Sequence, residues 1–452
     1  MKVRILEGQN FLLNIVEKEP FLIQNSAVLF EVKTLINNSI FEEILSRVFN
    51  KHDAFQVTFT KKNNKWQQII VPQNAKEIIN LSVDIQAKNQ NDALIKINEI
   101  AKELDKQLFV ENEILLRACL INSPMQKTNY FLMVIHHLVC DAQSIKIIKK
   151  SIVDSYKQII SNQALVIKPN SSNSFVRWAE HIEEFSNSKY LNEEVKYWKS
   201  LPWDSINPPK WDYKNPPLVS KNYESLNFSL NRQESKILLK RLKGKNNITI
   251  HEFMLASLSS VMGSWFQSSA LAIGMSTNGR MPTGRQSRSS SINTLFNSFV
   301  PLRVVGCLFT WYPIVVRIPC DVDINSLIGE VQSRVQSIPN GGVSFGILKN
   351  HKLYKDLFNS FASLVNIHIV FLPHATKRDS ISKKKEDIWK FIPINIKKKR
   401  SDGPGGHIYQ IFKILDNEFQ ITWVFSPDHH RTATIRSLGE LQIQQMREYL
   451  TK

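Results

Sequence analysis

The chain has 452 residues with 42% hydrophobic and 22% charged side chains, and it carries a formal net charge of +18. This length exceeds what one simple core organises and predicts two domains, while the composition excludes a disordered or fibrous protein. The N-terminal residues mix charges with apolar side chains, so no secretory signal is predicted. No apolar run approaches the roughly 20 residues of a membrane span, so we expect a cytoplasmic protein without a membrane partner.

Basic residues are spread along the chain, and the densest runs, at 382–387 and 395–403, are short. No helix-turn-helix, zinc finger or RNA-binding signature accompanies them, so nucleic acid ranks last among the partners that the charge suggests. A generally solvated surface ranks first and an acidic protein partner second. The four cysteines lie far apart without a CxxC pair, so we expect reduced thiols and no metal site.

The first third of the chain alternates helix and strand patterns. Ser39 and Glu42 have the spacing of a capping box, and the apolar residues after them recur at helical intervals. Apolar runs on either side of a polar turn predict a strand pair at 54–60 and 66–72. The elements predicted next are a helix at 92–107, a hairpin of strands at 114–121 and 130–135, and a helix with an apolar face from Ile145 to Ile159.

A polar stretch at 168–174 interrupts these patterns and is the predicted boundary between a first domain, 1–170, and a second, 171–452. The second domain starts with an aromatic helical segment and a Pro-rich one, and then repeats the alternation of the first. Its predicted elements are a strand at 224–230, helices at 232–243 and 251–266, and a strand at 270–276. The chain therefore reads as two α/β halves.

The segment YFLMVIHHLVCDAQSIKII (130–148) joins the second strand of the hairpin to the helix that follows. Imidazole moves protons near neutrality because its ordinary pKa is about 6.5. Neighbouring side chains on a strand point to opposite faces, so one of His136 and His137 is expected inside and the other at an opening. Asp141 stands where the helix begins and is expected to cap it. The spacing alone fits a catalytic site and an ordinary capped strand end equally well.

A second histidine pair, His429 and His430, provides an internal comparison. It lies in the polar segment FSPDHHRTATI, and Thr434 stands where the first pair has its aspartate. We therefore assign this pair to the surface.

The motif MVIHHLVCDAQS resembles the His-His-x-x-x-Asp-Gly motif of the condensation-domain superfamily of nonribosomal peptide synthetases, which is related to chloramphenicol acetyltransferase. Other segments resemble further motifs in the family's order: NKHDAFQVTF, FVRWAEH with LNEEVKYWKSL, VVGCLFTWYPIVV, GGVSFGILK and LVNIHIVFLPH. The resemblance covers nearly the whole chain. It implies an α/β fold in which two chloramphenicol-acetyltransferase-like lobes form a V-shaped pseudo-dimer with a central tunnel.

The resemblance also implies a reaction. The family joins a donor acyl or aminoacyl thioester, held on the phosphopantetheine arm of a carrier protein, to an acceptor amine and so forms an amide. His137 is then the catalytic histidine, His136 supports it and Asp141 is a structural carboxylate. The residue types fit, because a positioned imidazole can take the amine proton while proximity of two tethered reactants supplies much of the rate.

The resemblance further implies which partners the protein has. No cofactor or metal is bound by the enzyme itself, since its substrate arrives on the phosphopantetheine of a carrier protein. We expect a free-standing monomer that meets an acidic acyl or peptidyl carrier protein in trans, which gives the charge of +18 a purpose. The acceptor is a small-molecule amine or a second carrier-bound group.

Two positions near the motif depart from the family pattern. Ala142 replaces the motif's final glycine, and Gln56 stands at the arginine position that in the family pairs with the motif's aspartate. Asp141 then needs another partner, such as helix N–H groups. Cys140 follows His137 in an apolar run, and we assign it to packing rather than to an acyl-cysteine.

Several late motifs are closer to the epimerisation branch of the family. In MSTNGRM, however, Ser276 stands at that branch's glutamate and Asn278 at its second histidine, which argues against an epimerase. Ala142, Ser276 and Asn366 are predicted to line the substrate tunnel, with the last two equally compatible with ordinary polar strand ends.

Two alternatives to amide formation stay open. The wider superfamily transfers acyl groups from coenzyme A to O or N acceptors of small molecules with the same histidine. A degenerate module that recruits another protein without catalysis is the second alternative, which the changes at Gln56 and Ala142 favour and the intact His137 and Asp141 oppose.

Overall fold

The computed structural model describes residues 1–18, 25–34, 36–71, 80–163, 174–208, 210–217, 219–220, 222–244, 248–280, 295, 300–319, 323–371, 388–392, 394, 403–404, 407–415 and 417–451. In the N-terminal half the elements are β1 (Lys2–Val3), α1 (Glu7–Lys18), β2 (Ser26–Val32), α2 (Asn38–Lys51), β3 (Val57–Lys62), β4 (Lys65–Ile70), β5 (Asn80–Asp84), α3 (Gln90–Lys106), β6 (Leu116–Ser123), β7 (Thr128–Ile135) and α4 (Ala142–Ile160).

The remaining elements belong to the C-terminal half of the chain. They are α5 (Phe175–Ser186), α6 (Lys189–Lys199), β8 (Val219–Ser220), β9 (Glu224–Leu230), α7 (Arg232–Leu242), α8 (Ile250–Phe266), β10 (Ala270–Thr277), β11 (Thr310–Arg317), α9 (Ile324–Ser337), α10 (Val343–Lys349), α11 (Lys355–Ser363), β12 (Ile367–Phe371), β13 (Trp389–Ile392), β14 (Gly403–Pro404), β15 (Ile408–Leu415), β16 (Glu418–Phe425) and α12 (Thr432–Thr451).

The N-terminal sheet has the strand order β13-β2-β7-β6-β5. Its central strands are buried on both faces: α3 covers one face, and α2 and α4 pack on the other. Burial on both faces explains why β6 and β7 are nearly continuous apolar runs rather than alternating ones. The sheet thus holds the end of β7, where the histidine motif begins, in the interior.

The edge strand of the N-terminal sheet, β13, comes from the C-terminal half of the chain. β13 pairs antiparallel with β2, with Phe391 opposite Phe30. The predicted boundary between residues 170 and 171 lies outside the described residues, and the division at that point stays a prediction. Because β13 belongs to the first sheet, any such division leaves a late segment of the chain in the first half of the fold.

The C-terminal sheet has the order β11-β10-β12-β15-β16-β9. β10, β12 and β15 run parallel to one another, and the other neighbours are antiparallel. β15 alternates between buried and half-buried residues, as expected of a strand with one face against helices. Helix α8 is buried on nearly all sides and begins with a capping box between Thr249 and Glu252.

The helices and strands predicted from the sequence all exist, and their ends differ by a few residues. The helix α2 is capped by Asn37, whose Oδ1 accepts from the N–H of Ile40 at 2.9 Å, and not by the predicted capping box of Ser39. Residues 54–56, predicted as strand, belong to a 3-10 turn over Asp53–Gln56. In the part of the chain that the structure describes, no helix has the length and apolar character to cross a membrane.

Candidate active site

Strand β7 ends at Ile135, and the chain passes through a 3-10 turn over His137–Val139 into α4. His136 is buried at the start of this turn, and its Nδ1 accepts a hydrogen bond from the N–H of Leu138 at 3.1 Å. His137 is half-buried. The turn therefore directs His136 inward and leaves His137 partly accessible, which is the division expected from strand alternation.

The ring orientation of His137 is fixed by the backbone of its own turn. Nδ1 of His137 lies 3.0 Å from the carbonyl oxygen of Cys140. A carbonyl oxygen only accepts hydrogen bonds, so Nδ1 donates and is the protonated nitrogen. In a neutral ring of this tautomer the lone pair is on Nε2, which is then the nitrogen able to take a proton from a substrate.

Asp141 is the N-cap of α4. Its Oδ1 accepts from the N–H of Ser144 and from the Ser144 hydroxyl, each at 2.8 Å. Its Oδ2 accepts from the N–H of Leu308, at 3.1 Å, on the segment that leads into β11. One buried carboxylate therefore ends the turn that carries His137 and ties it to the second half of the chain.

Arg280 is the further partner of Asp141. Its Nη1 lies 2.7 Å from Oδ2 and its Nη2 3.0 Å from Oδ1, a bidentate pair. The guanidinium also donates to the carbonyl oxygens of Asn278 and Val304. Arg280 is only 1% exposed, so this ion pair is buried and its hydrogen-bonding capacity is taken up by the protein.

Sequence reasoning missed Arg280, although this residue lies in the segment in which Ser276 and Asn278 were singled out. The signal available was an arginine three residues after the apolar strand β10. Position 56, where the family arginine was expected, does not supply the partner: Gln56 lies in a 3-10 turn, and its carbonyl oxygen accepts from the N–H of Val71. The helix N–H bond expected for Asp141 is present, and Arg280 supplies the positive charge beside the carboxylate.

A close backbone approach brings the second half of the chain against the start of α4. The hydroxyl oxygen of Ser144 accepts from the Gly306 N–H at 3.0 Å and lies 3.0 Å from the carbonyl oxygen of Gly306. A Cβ at position 306 would lie 2.3 Å from the ring of Phe175. Only glycine fits there, so the segment VVGCLFT docks through Gly306 onto the helix that follows the histidines.

Helix α1 supports the turn from the other side. The fully buried Gln9 donates from Nε2 to the carbonyl oxygen of Leu138 at 2.9 Å and to Oε1 of Gln68 at 2.7 Å. Its Oε1 accepts from the N–H of Leu6. These bonds fix the orientation of the amide and anchor the residue next to His137.

Two further residues of the histidine motif are Ala142 and Cys140. Ala142 is the first residue of α4 and is exposed, so its methyl group meets no conformational conflict in a helix. The Cys140 thiol is buried, and burial raises its pKa well above the ordinary value, with the Asp141 carboxylate adding to the rise. A protonated, enclosed thiol is a poor nucleophile, which fits the packing role assigned to Cys140.

The predicted tunnel residues do not lie together. Ser276, near the end of β10, and Asn278 are exposed at the rim of a cavity beside α8. Asn366 precedes β12 and lines a different, smaller cavity near Ala270 and Leu271 at the other end of β10. Strand rise places them on the order of 13 Å apart along the sheet. The tunnel role of Ala142, Ser276 and Asn366 stays a prediction.

A row of rings that the sequence did not reveal crosses the C-terminal sheet. The indole N–H of Trp311 donates to Nδ1 of His368 at 3.2 Å, and Nε2 of His368 lies 2.9 Å from Nδ1 of His407. Burial lowers the pKa of His368 to about 3 and that of His407 to about 4. Because both imidazoles stay neutral and Nδ1 of His368 accepts from Trp311, Nε2–H of His368 donates to Nδ1 of His407, and neither ring is a base at neutral pH.

The assignment of His429 and His430 to the surface was wrong. Each is 1% exposed. Nδ1 of His429 lies 3.2 Å from the hydroxyl of Ser426, and the ring of His430 packs against Trp265. Polar sequence neighbours suggested exposure, but the chain folds this pair under the aromatic side chains of another segment.

The sequence profile named Condensation domain matches residues 22–401. The chain belongs to the condensation-domain family. Similar curated proteins include surfactin synthase subunit 2 of Bacillus subtilis (strain 168), 25% identical over 72% of the chain and 9% of that protein. Another is bacitracin synthase 3 of Bacillus licheniformis, 22% identical over 76% of the chain and 5% of that protein. The chain spans less than a tenth of the length of these relatives.

Solved structures show the same fold. The epimerization domain from the third module of tyrocidine synthetase B matches with a TM-score of 0.76 at 17% identity, covering 100% of this chain and 97% of that one. The starter condensation domain of rhizomide synthetase matches with a TM-score of 0.65 at 12% identity, covering 100% and 97%. The α/β class with two chloramphenicol-acetyltransferase-like lobes is confirmed.

The protein is thus a condensation domain of the type found in nonribosomal peptide synthetases, a family of acyltransferase-like domains that work with carrier-bound substrates. An epimerization domain is among the similar structures. Family membership therefore leaves the individual reaction to be argued from the residues of the site.

Proposed function

We propose that this condensation domain forms an amide between a carrier-bound acyl or aminoacyl thioester and an acceptor amine, with His137 as its catalytic residue. The carrier protein is an acidic partner that presents the substrate on its phosphopantetheine arm. The observation that carries this proposal is the hydrogen bond from Nδ1–H of His137 to the carbonyl oxygen of Cys140, which puts the ring's lone pair on Nε2.

The chemistry follows from that tautomer. As the amine attacks the thioester carbonyl, its nitrogen becomes acidic and a proton must leave. Nε2 of His137 accepts that proton, the tetrahedral adduct collapses with cleavage of the carbon–sulfur bond, and the imidazolium returns the proton to the leaving thiolate, which gives the amide and the free thiol. General-base help of this kind is worth about 10²- to 10⁴-fold in rate.

Asp141 supports the proposal as a positioning group. Its carboxylate oxygens accept from Arg280, Ser144 and Leu308. Through these bonds the carboxylate holds the turn in which His137 lies. Rigid support of this kind keeps the catalytic nitrogen in a productive position, where errors of about 1 Å are costly.

Epimerisation is disfavoured by the residues at the rim of the cavity beside α8. Ser276 and Asn278, where that branch has a glutamate and a histidine, are exposed neutral groups. Neither takes an α-proton at neutral pH. We expect no exchange of the substrate's α-hydrogen with solvent deuterium.

The test is reconstitution with an acyl-loaded carrier protein and a panel of amines, followed by intact-mass detection of the product. We expect His137→Ala to lower the rate of amide formation by at least about 10²-fold. Cys140→Ala should retain activity, because its backbone carbonyl still accepts from His137 and no acyl-cysteine forms. The same assay distinguishes the two alternative functions, a coenzyme A-dependent acyltransferase and a non-catalytic recruitment module.

Equal turnover of acyl-coenzyme A and acyl-carrier donors would favour the coenzyme A-dependent acyltransferase. Carrier binding without product from any amine or alcohol would favour the recruitment module. Loss of activity in Cys140→Ala with retained folding would contradict the direct-attack mechanism.

A further inference from the structure

A cavity of about 230 Å³ lies where the first turns of α8 meet the carboxyl ends of β10 and β12. We call it the α8 cavity; its lining residues are His251, Leu255, Met275, Ser276, Thr277, Asn278, Ile369, Phe371 and Phe412. Crevices at the carboxyl ends of parallel strands are common ligand sites in α/β sheets. The volume is larger than the cavity of about 150 Å³ that is known to admit benzene.

The floor of the α8 cavity is apolar and buried. Leu255 is fully buried, and Ile369 and Phe412 are nearly so. The rings of Phe371 and Phe412 lie 4.8 Å apart at an angle of 38°. Two tilted rings expose edges and faces to a guest, the arrangement in which a further aromatic ring gains most.

Among the residues that the structure describes, the rim is polar and carries no formal charge. His251, Ser276 and Asn278 are exposed there, and none of the lining residues is an aspartate, glutamate, lysine or arginine. The His251 ring stands edge-on to Phe371, with centroids 4.5 Å apart, and burial of the ring on this side lowers its pKa. A neutral rim above an apolar floor suits a neutral guest, since a charged one would be desolvated without a counter-ion.

The α8 cavity and the catalytic turn share one hydrogen-bond network. Asn278 lines the cavity, and its carbonyl oxygen accepts from Nη1 of Arg280 at 2.9 Å. The same Nη1 donates to Asp141, which lies four residues after His137 in the chain. The position of the cavity rim is thereby tied to the position of the turn that carries the catalytic histidine.

We propose that the α8 cavity binds a neutral aromatic side chain carried by one of the two substrates. That the aromatic side chain belongs to a substrate rests on the proposed function, whereas the binding of an aromatic group in the α8 cavity does not. An aromatic ring would lie among Phe371, Phe412 and His251, with the backbone of its amino acid at the polar rim near Ser276 and Asn278. The cavity thus selects the side chain, and His137 acts on the backbone groups.

The binding test uses the full chain and neutral probes. Saturation-transfer NMR and calorimetry compare N-acetyl-L-phenylalanine amide, N-acetyl-L-leucine amide and N-acetyl-L-alanine amide. We expect the phenylalanine probe to bind at least about tenfold more tightly than the alanine probe, since a phenyl ring buries a large apolar area. Binding of the leucine probe equal to that of the phenylalanine probe would overturn the aromatic assignment.

Two variants localise the binding. His251→Trp fills the mouth of the cavity from an exposed position on α8, so the fold should tolerate it, and it should weaken the phenylalanine probe at least about tenfold. The matched control is Leu353→Trp, which adds an indole at a position that is 76% exposed and does not line the cavity. Equal affinity in His251→Trp and Leu353→Trp would overturn the site.

The activity arm separates this inference from the proposed function. Amide formation is measured with phenylalanyl and alanyl groups as donor and as acceptor, in wild type and in His251→Trp. We expect the phenylalanyl-to-alanyl ratio of kcat/KM to fall in the variant for one of the two substrates. If the cavity binds the aromatic probe but no product forms with any substrate, the binding inference holds and the proposed function is rejected. If product forms without a preference for phenylalanyl groups, and the phenylalanyl-to-alanyl ratio is the same in His251→Trp, only the cavity's role in substrate selection is overturned.

Discussion

The pair formed by Asp141 and Arg280 shows what one buried ion pair can do at the scale of single residues. Taking both charges out of water is costly, and their attraction offsets that cost only when the remaining hydrogen-bonding groups are satisfied. Here the guanidinium also bonds carbonyl oxygens of Asn278 and Val304, and the carboxylate also bonds Ser144 and Leu308. The pair therefore specifies where the two halves of the chain meet more than it adds stability.

Removing both members of this pair should cost less than the sum of the costs of removing each one alone. We expect Arg280→Met to lower the free energy of unfolding by about 3–5 kcal/mol, because it leaves the Asp141 carboxylate buried without its counter-charge. The double variant Asp141→Asn, Arg280→Met should lose less than the two single variants added together. Urea unfolding of all four proteins measures this coupling, and strictly additive losses would show that the two side chains act independently.

At the scale of elements, local patterns predicted what local forces determine. The helices α2 and α8 and the strands β6 and β7 were predicted within a few residues, since the spacing of apolar side chains is visible in any short window. The pairing of β13 with β2 and the bond between Arg280 and Asp141, 139 residues apart, were not. Which segments meet is decided by the packing of whole halves, and one sequence carries no local record of it.

The same reasoning applies to the candidate site. His136, His137 and Asp141 lie within one short segment between a strand and a helix, so their motif could be compared with that of a known family. Gln9 holds that turn from α1 and Arg280 holds it from the segment after β10, and their sequence neighbours do not show that either residue contacts the turn. The motif residues could thus be named from the sequence, whereas the groups that hold their turn became visible only in the fold.

Helix α1 should therefore stabilise the turn that carries His137, through Gln9. We expect Gln9→Leu to lower the free energy of unfolding by about 1–3 kcal/mol, because the carbonyl of Leu138 and the amide of Gln68 lose a buried partner. Hydrogen exchange of the peptide containing 136–140 should become faster than in wild type. Asn14→Leu, an amide-to-leucine change on the exposed side of α1, is the matched control, and equal exchange in the two variants would contradict this role of Gln9.

At the scale of the whole molecule, buried titratable groups with opposite shifts set the pH dependence of stability. Burial lowers the pKa of His52 and of His368 to about 3 and that of His407 to about 4. Burial raises the pKa of Glu7 and of Glu194 to about 7. The folded protein therefore keeps these histidines and these glutamates neutral over a range in which the unfolded chain charges them.

The signs of the two effects are opposite. Below its ordinary value of about 6.5 the unfolded chain protonates its histidines and the folded protein does not, so their contribution to stability falls as pH drops from about 6.5 towards 3. Above about 4.5 the unfolded chain ionises its glutamates first, so their contribution falls as pH rises from about 4.5 to 7. Each group contributes at most about 1.4 kcal/mol per pH unit inside its window.

One variant of each kind separates these contributions. The free energy of unfolding of wild type minus that of His368→Asn should rise between about pH 3 and 6.5, because the variant lacks the group that resists protonation. Wild type minus Glu194→Gln should instead fall between about pH 4.5 and 7, and the glutamine keeps an acceptor for Asn340. Denaturant titrations at closely spaced pH values give both differences, and slopes of the same sign would mean that burial does not hold these two groups neutral.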